Sequence, residues 1–463
     1  MMRVLLVNPP IYDFTAYDFW LRPYGLFRVA GRIAHCCSLC FFDFLVSRPR
    51  DAWGRGPYDS RAAAKPGAYA DIPRRFRRYG RPRGEFRAYL AGQAPFDAVL
   101  IQTMMTYWYP GVREVIEDVR ELAPRASIIL GGVYATLVPD HARGLGADLV
   151  VRGSDLDPLW RRLSVEPRDG PPFQAPSRQG FGAMKITEGC PFRCSYCAAP
   201  LFWPEFTARP TDACLEEFRR LAGAGIRNIA LYDDALLFRP GQGLLPFLEG
   251  VLGEGVPVAL HTPNALHARL LTADLARRMV RGGFASFFIG LDSSAPAWQR
   301  ATGGKVDAGD FIAAVGHLRR AGARSITAYV LAGHPDSDAG ETEESIRFAH
   351  RHGARVLLSE FSPIPGTADG EKSRPWADLD EPLAHNKTAF VIRRLGDGGT
   401  DRLKRLARAL NERLPGPSSP AAAGGVTGPR VCGSSPGASG GGAPRRTSRP
   451  ETAGPGPGPG RRR

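Results

Sequence analysis

The sequence predicts an α/β protein built from two successive sheets of parallel strands. Short apolar runs rich in β-branched and aliphatic residues alternate with amphipathic helical stretches through most of the chain, as in sheets covered on both faces. With 463 residues the chain exceeds one ordinary domain, and a hydrophobic content of 43% is ample for two cores. Polar residues gather at the ends of the later strands, which is where this class of fold carries out its chemistry.

The first predicted domain, residues 1–153, starts with the strand RVLLVN, the helix YGLFRVAGRIA and the strand CFFDFLV. A basic insertion at 48–90 is followed by DAVLIQT, the helix GVREVIEDVRELA, SIILGG and DLVVRG. Apolar runs separated by amphipathic helices predict a doubly wound, Rossmann-like domain. Residues 154–180 are predicted to form a linker.

The second predicted domain, residues 181–367, repeats the alternation more regularly. Its strands are AMKIT, NIALYD, VPVALHT, FASFFIGLD, ITAYVLAG and RVLLSEF, with helical stretches between them. Six consecutive strand–helix units predict an open, partial (β/α)6 barrel with its site at the C-terminal ends of the strands. Residues 368–414 are charged and helical in their later half. The segment 415–463 holds 10 Pro and 13 Gly, a composition that predicts a disordered tail.

The positive charge is concentrated in two segments. Of the net charge of +15, residues 48–87 and 415–463 supply 14. A basic footprint confined to a polar insertion and a tail is interpreted as solvated arginines in flexible segments, so nucleic acid is not the predicted partner. No apolar run reaches the roughly 18 residues that cross a bilayer, and MMRVLLVNPP has the pattern of a strand and not of a signal peptide. We therefore expect a cytoplasmic protein without a membrane partner.

Three of the eight cysteines form a C-x3-C-x2-C motif, GCPFRCSYC, on the loop that leaves the first barrel strand. They are Cys190, Cys194 and Cys197. In a reducing compartment, clustered thiols favour metal ligation over disulfides. A structural zinc site normally takes four ligands, often as two C-x2-C pairs, and this motif contains one such pair. Three thiolates suit a [4Fe-4S] cluster that leaves one iron open. Zinc and a disulfide are the alternatives.

The motif, with Tyr196 before its last cysteine, resembles the signature of the radical S-adenosylmethionine (SAM) superfamily. The resemblance implies that the three cysteines hold a [4Fe-4S] cluster whose open iron binds SAM, with Tyr196 beside the SAM. It also implies that one electron cleaves SAM to a 5'-deoxyadenosyl radical. A reductant such as flavodoxin or ferredoxin would supply the electron.

Four later segments resemble superfamily motifs in the right order at strand ends: LYDDALLF, IGLDSS, YVLAGHPDSDAGETEES and FSPIPGT. The glycines usual at the second strand are absent. The resemblance implies SAM contacts from Asp233 or Asp234, Asp292, Ser293 and Gly333. Carboxylates also suit a sulfonium beside an ammonium group, and helix capping is the alternative role for each aspartate.

The N-terminal half resembles the cobalamin-binding domain that precedes many radical SAM barrels, in VNPP, DAVLIQTMMTYWYPGV, LGGVYATLVPDHA and GADLVVRGSD. The implied cobalamin contacts are Thr103, Met104, Gly131, Gly132 and Tyr134. The Asp-x-His-x-x-Gly motif of the lower ligand is missing, and His141 in PDHARG has a different spacing. Cobalamin would therefore bind without a histidine on its lower face. A Rossmann-like scaffold without a cofactor is the alternative.

Several other residues are interpreted as structural. His261 and Lys305 are expected at the barrel mouth, where substrate contact is the alternative to a structural role. The thiols next to His35 could ligate a second metal, but their position between a helix and a strand favours buried cysteines; they are Cys36, Cys37 and Cys40. Cys214 is expected on the buried face of a helix, and Cys432 lies in the tail.

The predicted function is that of a radical SAM enzyme that uses cobalamin to methylate or rearrange an unidentified substrate. One alternative is a radical SAM oxidoreductase or cyclase without cobalamin. A second is a non-enzymatic metal-cluster protein that binds RNA through Arg48 to Arg87. Catalytic residues and substrate do not follow from the sequence, because substrate contacts in this architecture come from variable loops.

Overall fold

The computed structural model describes residues 1–174 and 180–414, and its N-terminal part is a five-stranded parallel sheet. The strands are β1 (Met2–Asn8), β2 (Cys37–Asp43), β3 (Ala98–Thr103), β4 (Ser127–Gly132) and β5 (Leu149–Val150). Their order across the sheet is 2-1-3-4-5, and every neighbouring pair is parallel. The order reverses between β1 and β3, so a crevice opens at the carboxyl ends of these strands.

Helices cover both faces of this sheet, which confirms the predicted doubly wound domain. They are α1 (Tyr24–Ile33), α2 (Arg83–Gln93), α3 (Tyr109–Leu122) and α4 (Asp157–Leu163). One face packs against α1 and α4, and the other against α2 and α3. The prediction that 154–180 is a linker is wrong for α4, because Leu159, Trp160 and Leu163 are buried against the sheet.

The basic insertion, residues 48–90, is folded onto the first domain. Its strand Arg77–Tyr79 lies between Ile11–Asp13 and Ser60–Ala62 in a small antiparallel sheet. The interpretation of a flexible segment is therefore wrong. The sequence pattern hides this sheet because each of its strands has only three residues.

Arginines of the insertion pair with carboxylates of α3. Arg78 is 1% exposed, and its Nη2 lies 2.6 Å from Oε1 of Glu114. Arg83 and Arg87 lie 2.9 and 2.7 Å from the buried Oδ1 of Asp118. The expected solvated arginines are thus partly structural, since a buried carboxylate on α3 needs a counter-charge.

The second sheet has six parallel strands in chain order, which confirms the partial (β/α)6 barrel. They are β6 (Gly182–Met184), β7 (Asn228–Leu231), β8 (Ala259–His261), β9 (Phe284–Asp292), β10 (Ile326–Ala332) and β11 (Arg355–Glu360). The helices between them are α5 (Thr211–Gly223), α6 (Leu244–Glu254), α7 (Ala273–Arg281), α8 (Ala308–Arg320) and α9 (Ala339–Arg351). Capping boxes at Asp307 and Asp338 start α8 and α9.

The segment 368–414 is helical in its later half, as predicted, with α10 (Lys387–Leu395) and α11 (Asp397–Glu412). Asn411 on α11 pairs with the edge strand β11: its Nδ2 donates to the Val356 carbonyl at 2.8 Å, and its Oδ1 accepts from the Val356 amide at 2.7 Å. This contact covers an otherwise open sheet edge.

The predicted disorder of 415–463, with Cys432, lies outside the described residues, as do residues 175–179 of the predicted linker. Within residues 1–174 and 180–414, no helix combines the length and the apolar character that a membrane span requires.

Two tryptophans of the first domain, Trp20 and Trp53, help to fill the inside of the barrel. They form one buried cluster with Phe181, Ala230 and Phe288 of the barrel. The ring of His261 stacks on Trp20 with centroids 4.7 Å apart, and its nitrogens bond Ser286 Oγ at 2.8 Å and Asn228 Oδ1 at 3.1 Å. His261 is therefore structural. The expectation that it faces the mouth is wrong, because its ring reaches the first residue of β7.

Candidate active site

The cysteine motif lies on a loop closed by a short antiparallel pair, Thr187–Glu188 with Thr207–Ala208. Gly189 enters the loop with φ +73°, and a Cβ there would lie 2.0 Å from the Glu205 carbonyl oxygen. Only glycine fits such a backbone. The three thiols that follow are free and partly buried.

The charge environment of the thiols is set by burial and by one lysine. Burial raises the pKa of all three, that of Cys194 to about 11. Burial alone would lower the pKa of Lys305, but Asp292 and the three thiols raise it. Lys305 therefore presents a cation to the cysteine loop, the position best suited to balance thiolates that have lost protons to a metal.

One other group of candidate metal ligands stands out in the part of the chain that the structure describes. His334, Asp336 and Asp369 place three ligand atoms within 4.8 Å of one another. The choice between an iron–sulfur cluster and zinc at the cysteines therefore rests on the number and sequence spacing of the thiols.

Tyr196 and Asp292, both predicted to contact SAM, are joined to each other. The Tyr196 hydroxyl donates to Asp292 Oδ2 at 2.7 Å. Asp292 ends β9 where the register with β10 shifts, and its φ is +60°. A bulge re-aims a side chain, and an aspartate held in this conformation marks a constrained position. The bulge thus points one carboxylate at Tyr196 and Lys305.

Asp233 and Asp234 follow β7 but differ in their surroundings. Asp233 is buried, and its Oδ1 accepts from the Ile186 amide at 3.0 Å and from the amide and hydroxyl of Thr187, both at 2.6 Å. Its Oδ2 has no hydrogen-bond partner in the described part of the chain. Asp234 is partly exposed and lies 3.0 Å from Nζ of Lys185. Asp233 therefore shapes the turn before the cysteine loop, whereas Asp234 is available at the surface of a cavity.

The other two predicted SAM residues lie in strand-end turns. Ser293 is buried, and its Oγ accepts from the Ala295 amide at 3.1 Å. Gly333 has φ +79°, and a Cβ there would lie 2.6 Å from Val391. The turns themselves explain both residues, since Ser293 bonds a backbone amide and Gly333 adopts a positive φ. Their contacts with SAM stay predictions.

A cavity of about 730 Å³ connects the cysteine loop to the first domain. From the barrel it is lined by Lys185, Glu188, Cys197, Phe202, Trp203 and Asp234, among others. The ends of β3 and β4 contribute Gln102, Met104, Gly131 and Gly132. The cavity continues between α1 and the sheet, past Leu26, Val29 and Ile129. One space therefore joins a predicted cluster ligand to three predicted cobalamin residues.

Thr103 and Tyr134, also predicted to contact cobalamin, do not line this cavity. Thr103 is fully buried and its Oγ1 donates to the Gly131 carbonyl at 2.9 Å. The Tyr134 hydroxyl bonds Nδ1 of His141 at 2.5 Å. Thr103 thus supports the turn at Gly131, whereas Tyr134 is held by His141.

Sequence reasoning missed an interdomain ion pair beside the motif. Arg28 on α1 pairs with Glu188, which precedes Gly189. The sequence signal that could have revealed this pair is the charge of Glu188, which directly follows a run of buried residues. His267 was also missed: it is buried, both ring nitrogens lack a hydrogen-bond partner among the described residues, and its ring lies 4.2 Å from Phe192.

The remaining cysteines agree with the structural interpretation. Cys37 and Cys214 are buried, and Cys36 and Cys40 are partly buried. None of the four belongs to a group of three close metal ligands in the described residues.

Comparison with protein families identifies the barrel. Residues 184–349 match the family model described as the radical SAM superfamily. This part of the chain is therefore a radical SAM domain. Enzymes of this superfamily use a [4Fe-4S] cluster and SAM, so the cofactor prediction made from the cysteine motif holds.

Two solved structures resemble most of this chain. The radical SAM methyltransferase TsrM from Kitasatospora setae, solved with cobalamin and a [4Fe-4S] cluster, has a TM-score of 0.60 and 16% identity, over 80% of this chain and 74% of that one. The cobalamin-dependent SAM radical enzyme OxsB has a TM-score of 0.54 and 12% identity, over 89% of this chain and 61% of that one. At these identities the likeness establishes the fold, which includes the N-terminal domain.

Curated relatives match parts of the chain. An uncharacterised methyltransferase from Pyrococcus horikoshii is 24% identical over 192 residues, which is 40% of each protein. The ribosomal protein uS12 methylthiotransferase RimO from Streptomyces coelicolor is 27% identical over 308 residues, which is 60% of each. The chain thus spans about two fifths and three fifths of these relatives.

Proposed function

We propose that the protein is a radical SAM enzyme that also binds cobalamin and transfers a methyl group to, or rearranges, a small substrate held in the 730 Å³ cavity. The observation that carries the proposal is the continuity of that cavity from Cys197 to Gly131 and Gly132. TsrM and OxsB, whose fold the chain shares, are both described as cobalamin enzymes, which supports the same assignment.

The donor set fits the cluster and SAM. Cys190, Cys194 and Cys197 would hold three irons, and Lys305 would offset the negative charge of the thiolates. Asp234 lines the cavity with Cys197, so its carboxylate is the best placed acceptor for the SAM ammonium. When bound, the cluster supplies the electron that cleaves SAM, and we propose flavodoxin or ferredoxin as its source.

The first domain fits a corrinoid in two respects. Gly131 has no side chain to fill the cavity, and the space next to it is open, because a Cβ there would meet no atom closer than 4.0 Å. The apolar branch beneath α1 offers room for a ligand's tail. No histidine lines the cavity within the described residues, so the corrinoid would bind without an imidazole on its lower face. When bound, cobalamin would supply a methyl carrier next to SAM.

The cluster assignment is tested with anaerobically reconstituted protein. Wild type should show the absorbance and EPR spectrum of a reduced [4Fe-4S] cluster and should release deoxyadenosine or S-adenosylhomocysteine from SAM. Cys194→Ala should lose both properties, whereas Cys40→Ala, which removes a partly buried thiol outside the motif, should keep them. A zinc-loaded wild type without iron would refute the proposal.

Cobalamin binding is tested by filling the cavity. Gly131→Leu should abolish co-purification of hydroxocobalamin, because the new side chain enters the cavity. Gly144→Leu, at an exposed glycine with no atom within 4 Å of its Cβ position, is the matched control. If wild type binds no corrinoid but releases deoxyadenosine, the enzyme is an oxidoreductase or cyclase without cobalamin.

A further inference from the structure

A buried carboxylate outside the SAM residues holds the peptide between the second and third cysteines. Asp369 is fully buried. Its amide donates to the Ser195 carbonyl at 3.0 Å, and its Oδ2 accepts a short hydrogen bond from the Ser195 hydroxyl. Ser195 directly follows Cys194. A residue 174 positions away in sequence thus fixes both the main chain and the side chain at the centre of the motif.

Asp369 is itself oriented by His334, which follows β10. Nε2 of His334 donates to Asp369 Oδ2 at 2.9 Å. Nδ1 accepts from Nε1 of Trp298 at 3.0 Å and from the Asp336 amide at 3.1 Å. Two donors aimed at Nδ1 leave the proton on Nε2, so His334 can serve Asp369 only as a donor. The imidazole is fully buried and has no freedom to change this arrangement.

The same network reaches the next residue of the motif from its other side. The Trp298 ring stacks on Tyr196, with centroids 5.7 Å apart and planes at 25°. The Tyr196 hydroxyl is in turn fixed by Asp292. The pair Ser195–Tyr196 is therefore held by groups from the end of β9 and from the segments that follow β9, β10 and β11.

A metal ion is not the better explanation of this cluster. His334, Asp336 and Asp369 place three ligand atoms within 4.8 Å. However, the ammonium of Lys372 already lies 2.5 Å from Asp336 Oδ2 and 3.1 Å from Asp369 Oδ1. Both nitrogens of His334 are also occupied by hydrogen bonds. The group is therefore explained as an ion pair of Lys372 with two carboxylates, one of which is also hydrogen-bonded to a histidine.

We propose that Asp369 and His334 are positioning residues that set the geometry of the Cys194–Cys197 segment and thereby slow loss of iron from the cluster. This inference rests on the proposed role of the three cysteines. Hydrogen bonds behind metal ligands commonly change metal affinity by about ten- to a hundredfold.

The test compares Asp369→Ala with Asp369→Asn. Alanine removes both hydrogen bonds to Oδ2. Asparagine can keep both, because a single oxygen accepts from Ser195 and from His334; like alanine, it loses the ion pair with Lys372, so the comparison isolates the two bonds to Oδ2. Thr388→Val is the matched control: it deletes a similar buried hydroxyl–carboxylate bond, to Glu360 at 2.7 Å, outside the motif.

The measurements are the rate of iron release to a chelator under anaerobic conditions and the EPR spectrum of the reduced protein with and without SAM. We expect Asp369→Ala to release iron about ten- to a hundredfold faster than wild type and to broaden the SAM-dependent spectrum. Asp369→Asn should stay within about threefold of wild type, as expected when a hydrogen bond is weakened but kept. Thr388→Val should release iron at the wild-type rate even if it lowers the melting temperature.

Each result has a distinct meaning. A wild-type protein that assembles no cubane refutes the proposed function. A wild-type cubane that Asp369→Ala retains as long as wild type refutes this inference alone, as does faster iron release from Thr388→Val. If Asp369→Ala does not fold, Ser195→Ala is tested instead, because it removes only the bond from the Ser195 hydroxyl to Asp369. Ser195→Ala should also release iron faster than wild type, by a smaller factor than expected for Asp369→Ala. An unchanged rate of iron release overturns the inference.

Discussion

The carboxylate of Asp233 provides the most quantitative test of the structure. Burial raises its pKa from the ordinary value of 3.8 to about 6, against hydrogen bonds from Thr187 that lower it. Its Oδ2 is buried and has no partner in the described residues. An acid whose pKa is higher in the folded state destabilises that state once it ionises. Above pH 6 the shift lowers the unfolding free energy by about 3 kcal/mol. This penalty disappears below the pKa that the carboxyl group has in the unfolded state.

Asp233→Asn removes the charge but keeps an oxygen for the three donors from Ile186 and Thr187. The wild-type protein should lose stability as pH rises through the window from about 4 to 6, and the variant should lose less. We therefore expect the difference in unfolding free energy, variant minus wild type, to rise by up to about 3 kcal/mol between pH 4 and pH 7. Any constant cost of the buried amide cancels from this change.

Urea unfolding of the cluster-free protein, followed by far-UV circular dichroism at pH 4.5, 5.5, 6.5 and 7.5, measures this difference. Asp169→Asn, at a fully exposed carboxylate, is the control, and its unfolding free energy should change with pH as that of wild type does. If the unfolding free energy of Asp233→Asn also changes with pH as that of wild type does, the carboxylate has a partner in solution and the reasoning fails.

Two further predictions concern contacts that define the fold. Arg78→Met should lower the unfolding free energy by about 3–5 kcal/mol at neutral pH, because it leaves Glu114 buried without a counter-charge. Arg48→Met, which replaces an arginine side chain that is 74% exposed, should have no effect in the same denaturation assay. Trp20→Ala should lower the unfolding free energy by about 3–5 kcal/mol because the side chain is fully buried inside the barrel. Trp376→Ala, at a side chain that is 38% exposed, should lower it much less. Equal losses from the two variants would contradict the burial of Trp20 inside the barrel.

The sequence predicts what depends on local pattern. The order of the barrel strands and the cysteine loop after the first of them follow from periodicity and spacing. The predicted cobalamin residues show the limit of sequence pattern: Met104 lines the cavity, as does the unpredicted Gln102, while Thr103 between them does not. Successive residues of a strand point to opposite faces, and choosing the face requires knowing which side the partner domain covers.

Long-range contacts were beyond prediction for a similar reason. The pairing of Arg78 with Glu114 links residues on a three-residue strand and a helix, and nothing near either one specifies the other. The burial of Trp20 against His261 likewise joins the first domain to the barrel. In both cases composition suggested solvent or a site, and tertiary packing determined a structural role.

The contacts between the domains fix the dimensions of the cavity that lies between the cysteine loop and the first domain. Trp20 is packed inside the barrel, Arg28 is paired with Glu188 at the start of the cysteine loop, and His385 bonds Thr106 of the first domain at 2.9 Å. These contacts lie at separate places on the boundary, so a hinge motion would have to break buried packing and buried polar bonds together. The distance between the cysteine loop and the ends of β3 and β4 is therefore set by folding, so under the proposed function the reacting groups would be in place before a substrate binds.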